Sequence, residues 1–109
     1  MKTPWGISDF ETVLAEGIIR YSTPGHGGIW LSEARWRLLE SKLGRVPNAV
    51  GRMMWWEEDC DWAIPYLFFS EDLKKTDPDF EKAVFYARST VENMRPELLP
   101  LIEACLPSS

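Results

Sequence analysis

Only two cysteines, Cys60 and Cys105, and one histidine, His26, occur in the 109 residues of the chain. Two thiols are too few for a disulfide framework, and they lack the Cys-x-x-Cys spacing of a zinc site. Their scarcity is the pattern of a chain with reduced thiols, and a cytoplasmic location is expected. Long apolar runs are also absent. The longest, residues 63–69, is interrupted by Pro65 and falls well short of the ~20 apolar residues of a membrane span. The start, Met-Lys-Thr-Pro-Trp-Gly, has none of the apolar character of a secretory leader. Positive charge is in deficit, with 12 Lys and Arg against 17 Asp and Glu for a net charge of −5. Lys74-Lys75 is the only adjacent basic pair, so the clustered cations that phosphate binding needs are missing and direct nucleic-acid binding is not expected. The excess of acid is in turn too modest for a mimic of DNA.

Aromatic residues, by contrast, are abundant. Six tryptophans contribute to a 13% aromatic and 45% hydrophobic content, enough for one core in a single domain spanning residues 1–109. The first third carries strand signals. Residues 10–14 mix β-branched and aromatic side chains, Glu16-Gly17 forms a turn, and Ile18-Ile19-Arg20-Tyr21-Ser22-Thr23 has high strand propensity. Pro24-Gly25-His26-Gly27-Gly28 breaks that run before Ile29-Trp30-Leu31 resumes it. An antiparallel meander of two or three strands is expected over about 8–31.

Three or four helices should follow. Ser32 is an N-cap for a helix over 33–43 closed by Gly44, with Ala34, Leu38, Leu39 and Leu43 on the face toward the sheet. A second helix is predicted over 56–70, with Glu57, Glu58, Asp59 and Asp61 near the positive end of its dipole. Pro65 conflicts with that helix unless it kinks there or starts later. Asp77-Pro78 opens a third helix over 78–94, with Phe80, Ala83, Val84, Ala87, Val91 and Met94 at helical spacing. A short helix over 97–105 is weakened by Pro100, and Pro107-Ser108-Ser109 reads as a frayed tail. Strands followed by helices make an α+β domain.

Chemistry concentrates in Trp55-Trp56-Glu57-Glu58-Asp59-Cys60-Asp61-Trp62-Ala63, which holds three tryptophans, four carboxylates and a thiol. Neighbours in sequence cannot face the same way on a regular element, so one of Trp55 and Trp56 should enter the core and the other stay exposed or meet a partner. Tryptophan is the residue most enriched at interface hot spots, and an acidic rim selects a basic surface. Trp55, Trp56, Glu57, Glu58, Asp59 and Asp61 are therefore the candidate partner-binding residues, and a catalytic set is not assigned. The alternative is a small hydrolase or transferase centred on His26, with Cys60 as nucleophile or an acid of the cluster as its partner. Against it, the glycines around His26 suit a hairpin turn, and Cys60 falls on an apolar face where free cysteine acts as a small hydrophobe. A third reading is an accessory homodimer. A metal site could recruit His26, Glu57, Glu58, Asp59 and Asp61, but neither a cofactor nor a metal is expected, because one histidine without cysteine pairs matches no zinc motif and the carboxylate spacing is not that of a calcium loop.

Thr3-Pro4-Trp5-Gly6, Ser22-Thr23-Pro24-Gly25-His26-Gly27-Gly28-Ile29 and Trp56-Glu57-Glu58-Asp59-Cys60-Asp61-Trp62-Ala63, taken in order, resemble a group of small bacterial proteins. The group is known as domain of unknown function 7007, and its members are often carried by phages, plasmids and integrated elements. The similarity spans about residues 3 to 70. In that family the Trp-Ala pair leads into an uninterrupted apolar helix, from which Ile64-Pro65-Tyr66-Leu67-Phe68-Phe69 departs. The resemblance supplies no catalytic residues. It implies a mobile-element protein that binds and disables host defence machinery, in the manner of an anti-CRISPR inhibitor. The partner would be a host protein or ribonucleoprotein complex with a basic surface.

Overall fold

The computed structural model describes residues 2–107. Ser108 and Ser109 of the expected tail lie outside the described residues. The fold is α+β, with two antiparallel sheets, one helix between the fifth and sixth strands and the other helices after the sixth. Strands β1 (Lys2–Thr3) and β2 (Gly6–Ile7) form a small N-terminal hairpin. The main sheet contains β3 (Phe10–Ala15), β4 (Ile18–Ser22), β5 (Gly27–Leu31) and β6 (Trp55–Glu57), paired antiparallel in that order. The expected meander is its first three strands, and the fourth comes from the tryptophan cluster.

Alternation along the strands gives the sheet two faces. In register, Ile29 lies opposite Arg20 and Trp56, whereas Gly28 lies opposite Tyr21 and Glu57. The first face, with Leu14, Ile18, Ile29, Leu31 and Trp56, joins one apolar core with Leu39, Tyr66, Leu67, Leu73, Ala87, Val91 and Ile102 from the helices. On the second face Trp55 packs edge-on against Trp5, with ring centroids 5.6 Å apart, and at a tilt against Tyr21, with centroids 5.8 Å apart.

Helix α1 (Glu33–Leu43) begins and ends as its caps dictate: the Ser32 hydroxyl accepts the Arg35 N–H, and Gly44, at φ 79°, closes it. Its buried face differs from the expected one. Leu39 is buried and Trp36 and Leu43 pack beside it, while Leu38 is 46% exposed and Ala34 is also exposed. The i, i+3, i+7 stripe that includes the indole covers more apolar area than the Ala34–Leu38 side.

The helix predicted over 56–70 is replaced by three features. Residues 55–57 are a strand, residues 58–62 are a turn, and α2 (Ala63–Phe68) follows, with α3 (Ser70–Thr76) after a break at Phe69. Pro65 is therefore in the first turn of α2, where its missing N–H has no intrahelical partner to lose. The apolar helix after Trp62-Ala63 is thus compatible with proline. Helix α4 (Phe80–Met94) buries Ala87 and Val91, though Met94 at its end is 60% exposed. Asp77 caps its approach, accepting the Asp79 N–H at 3.0 Å. A 3-10 turn (Pro96–Leu98) leads into α5 (Leu99–Ala104), where Pro100 again occupies the first turn.

Candidate functional site

The tryptophan and acid segment is organised by pairing with β5. Trp30 lies opposite Trp55 and Ile29 opposite Trp56, and the Leu31 N–H reaches the Met54 carbonyl at 2.9 Å. Aromatic side chains suit a pleated, covered surface, and here they outweigh the helical preference of the acids beside them. The expectation that one of the adjacent tryptophans faces outward is overturned: Trp55 is 6% and Trp56 0% exposed. They do point in opposite directions, but the helices cover one face of β6 and the N-terminal hairpin covers the other. The Trp56 indole donates to the Met53 carbonyl at 2.6 Å, so its polar atom is satisfied inside the core.

Gly28 permits that second covering. A Cβ at this position would stand 2.2 Å from the Trp56 carbonyl oxygen and 2.5 Å from the Trp5 ring. The glycine is therefore a close-approach residue that lets Trp5 lie against the sheet. Its neighbour Gly27 accepts the Glu58 N–H at 2.9 Å, extending the pairing of the two segments past β6.

The four carboxylates consequently have different environments and do not sit on a helix terminus. Asp61, 7% exposed, turns inward and accepts the Ala49 N–H at 2.7 Å, which pins the loop between α1 and β6. That inward orientation removes Asp61 from any outward face. Glu57 is half-buried, and Glu58 and Asp59 are exposed. Burial and the nearby Asp59 push the Glu57 carboxyl above its usual range, an effect opposed by His26.

His26 is exposed at the β4–β5 hairpin turn, which closes through the Thr23 N–H to the His26 carbonyl at 2.8 Å. The Thr23 hydroxyl also accepts the His26 N–H at 3.1 Å. This is the turn expected from the glycines. A ring nitrogen of His26 and a carboxylate oxygen from each of Glu57 and Asp59 lie within 4.8 Å of one another. Among the described residues, ion pairs join Arg35–Asp72, Arg37–Glu33, Arg88–Glu103 and Arg95–Glu97, and no Lys or Arg pairs with Glu57, Glu58, Asp59 or Asp61.

Cys60 is half-buried in the turn rather than on the apolar face of a helix. Its thiol donates to Asp61 at 3.7 Å, and burial together with the charges of Asp61, Glu57 and Asp59 raises its pKa. A thiol held protonated in this way is a poor nucleophile.

Sequence reasoning missed a cleft of about 200 Å³ between the sheet and α2, lined by Leu14, Arg20, Ser22, Glu58, Trp62 and Tyr66. The available signal was Arg20, a charge two residues from Ile18 and hence on the core-facing side of β4. The cleft is smaller than the ~300–1,000 Å³ of typical small-molecule sites.

A four-stranded antiparallel sheet covered by helices, with an acidic turn beside a histidine hairpin, defines the class as a small α+β domain. The chain belongs to the family described as domain of unknown function (DUF7007), whose model matches residues 1–106. Comparison with curated proteins and with solved structures gives no match. Among the described residues, no helix is long and apolar enough to cross a membrane.

Proposed function

We propose that this protein is a non-enzymatic binding protein of a phage or plasmid that inhibits a host defence complex, such as a CRISPR effector, in the cytoplasm. The observation that carries the reading is the edge formed by Glu57, Glu58 and Asp59, which has no Lys or Arg ion pair among the described residues. Unpaired carboxylates beside one another repel, and a basic protein surface relieves that repulsion while steering association. The net charge of −5 adds to the attraction. Trp55 and Trp56 act in this reading as the scaffold that holds the edge, and Asp61 as its internal brace.

The combined variant Glu57→Gln, Glu58→Gln, Asp59→Asn tests the proposal in binding to the defence complex recovered from a host with intact systems. Loss of at least about tenfold in affinity is expected, since each charged contact contributes on the order of 1 kcal/mol. The fold should be retained, because the edge lies at the surface. Unchanged affinity would remove the edge from the reading. The rival, a small enzyme centred on His26, draws on the proximity of that imidazole to two carboxylates. His26→Ala in the same functional assay separates the two: full function ends the enzymatic reading.

A further inference from the structure

We infer that His26, Glu57 and Asp59 form a binding site for a first-row divalent cation of the Zn²⁺ or Mn²⁺ type. The inference does not depend on the identity or existence of the protein partner. The donors come from two segments separated by thirty positions in the sequence: the β4–β5 turn supplies an imidazole nitrogen, and the end of β6 supplies two carboxylates. All three ligand atoms lie within 4.8 Å of one another. Metal bonds of about 2.0–2.2 Å to nitrogen and oxygen require ligand atoms roughly 3 Å apart. Closing the remaining gap needs only side-chain rotation, since His26 and Asp59 are exposed.

The backbone beneath the donors is held in place. Gly28 pairs in register with Glu57, and the Gly27 carbonyl accepts the Glu58 N–H at 2.9 Å. The two donor segments are therefore locked side by side, and an ion would meet a preformed platform. The two neighbouring carboxylates create a negative field that no described Lys or Arg neutralises through an ion pair. A divalent cation supplies the missing charge.

The donor chemistry sets the class of ion. Imidazole suits zinc, nickel, copper and iron, and carboxylates broaden the set to manganese. Calcium seeks six to eight oxygens, and magnesium favours oxygen and retained water, so a nitrogen ligand disfavours both. Three protein ligands leave coordination positions open to water. No local metal motif marks the site, because its ligands become adjacent only when β6 pairs with β5.

His26 is the only histidine in the chain, so its ring nitrogens give a single imidazole signature in nitrogen-15 NMR. Zn²⁺ titrated into chelator-treated protein should shift those nitrogens, and Mn²⁺ should broaden them, whereas Mg²⁺ and Ca²⁺ at equal concentration should leave them in place. Isothermal titration with Zn²⁺ should show one site, at least tenfold weaker in Glu57→Gln and in Asp59→Asn and abolished in His26→Ala. Glu58→Gln, outside the donor set, should bind Zn²⁺ as the parent does, and circular dichroism of each variant confirms the fold. Unshifted ring nitrogens at millimolar Zn²⁺, or equal affinity in His26→Ala, overturns the site. Unchanged affinity in both carboxylate variants overturns it as well, because the ion would then rest on the imidazole alone. Partner binding is read on the defence complex and cation binding by Zn²⁺ titration of the isolated protein, so either proposal can fail without the other.

Discussion

Single residues here carry constraints that their chemical type does not announce. Gly28 is the clearest case. Its missing side chain leaves room for the Trp56 carbonyl on one side and the Trp5 ring on the other. Gly28→Ala should destabilise the protein by about 3 kcal/mol, at the upper end of overpacking costs, because a backbone carbonyl is among the obstructing atoms. Adding Trp5→Ala should not restore stability, since the clash with the carbonyl persists; restoration in a denaturant titration would place the conflict at the indole alone. Asp61 offers a parallel lesson. In sequence it is one of four similar acids, but in the fold it is a buried acceptor for the Ala49 N–H. Its neighbours Glu58 and Asp59 remain at the surface.

At the scale of elements, the connection between α2 and α4 depends on a buried pair. The Tyr66 hydroxyl donates to Asp77 at 2.6 Å, and Asp77 also accepts the Asp79 N–H that begins the turn into α4. Tyr66→Phe should cost about 1.5–3 kcal/mol, the range for a hydrogen bond to a charged group. Burial, followed by the bond to Asp77, raises the Tyr66 pKa above its ordinary value of 10.0. The folded protein then holds the phenolic proton where the unfolded chain releases it. Stability from this group is complete below pH 10 and is lost as pH rises toward the folded-state value. The alkaline fall in melting temperature should therefore be shallower in Tyr66→Phe than in the parent.

The same scale shows what was legible in the chain. Ser32 and Gly44 mark both ends of α1 because capping is local chemistry between a side chain and nearby backbone. Asp77-Pro78 and the apolar spacing after it place α4 within two residues for the same reason. Strands β3, β4 and β5 follow one another through short turns, so their signals are local too. β6 is different: its three residues pair with a strand reached across an intervening helix and loop. The acids after Trp56 favoured a helix start, and the pairing that overrides them involves distant residues. Pro65 was the one local hint, since it fits a helix that begins near Ala63.

For the whole molecule, one apolar cluster joins the first sheet face to α1, α2, α3, α4 and α5. A domain with a shared core unfolds as a unit. Tryptophan fluorescence and far-ultraviolet circular dichroism should give coincident denaturation curves, with Trp56 reporting the core and the backbone signal reporting the helices. Separate transitions would show that the sheet and helices are independent units. The ring packing of Trp5 and Trp55 on the opposite face makes the N-terminal hairpin part of the same structure.

Composition and local patterning alone determined that this is one acidic α+β domain. They also determined the ends of α1 and the first three strands of the main sheet, while three ordered motifs carried the resemblance to the family. Caps, turns and periodic stripes are decided by residues a few positions apart. The tertiary structure decided which tryptophans are hidden, which acids face water and that His26 stands beside Glu57 and Asp59. Those outcomes depend on β6 adding to β5 and on Trp5 closing over Gly28, contacts between segments that only the folded chain brings together.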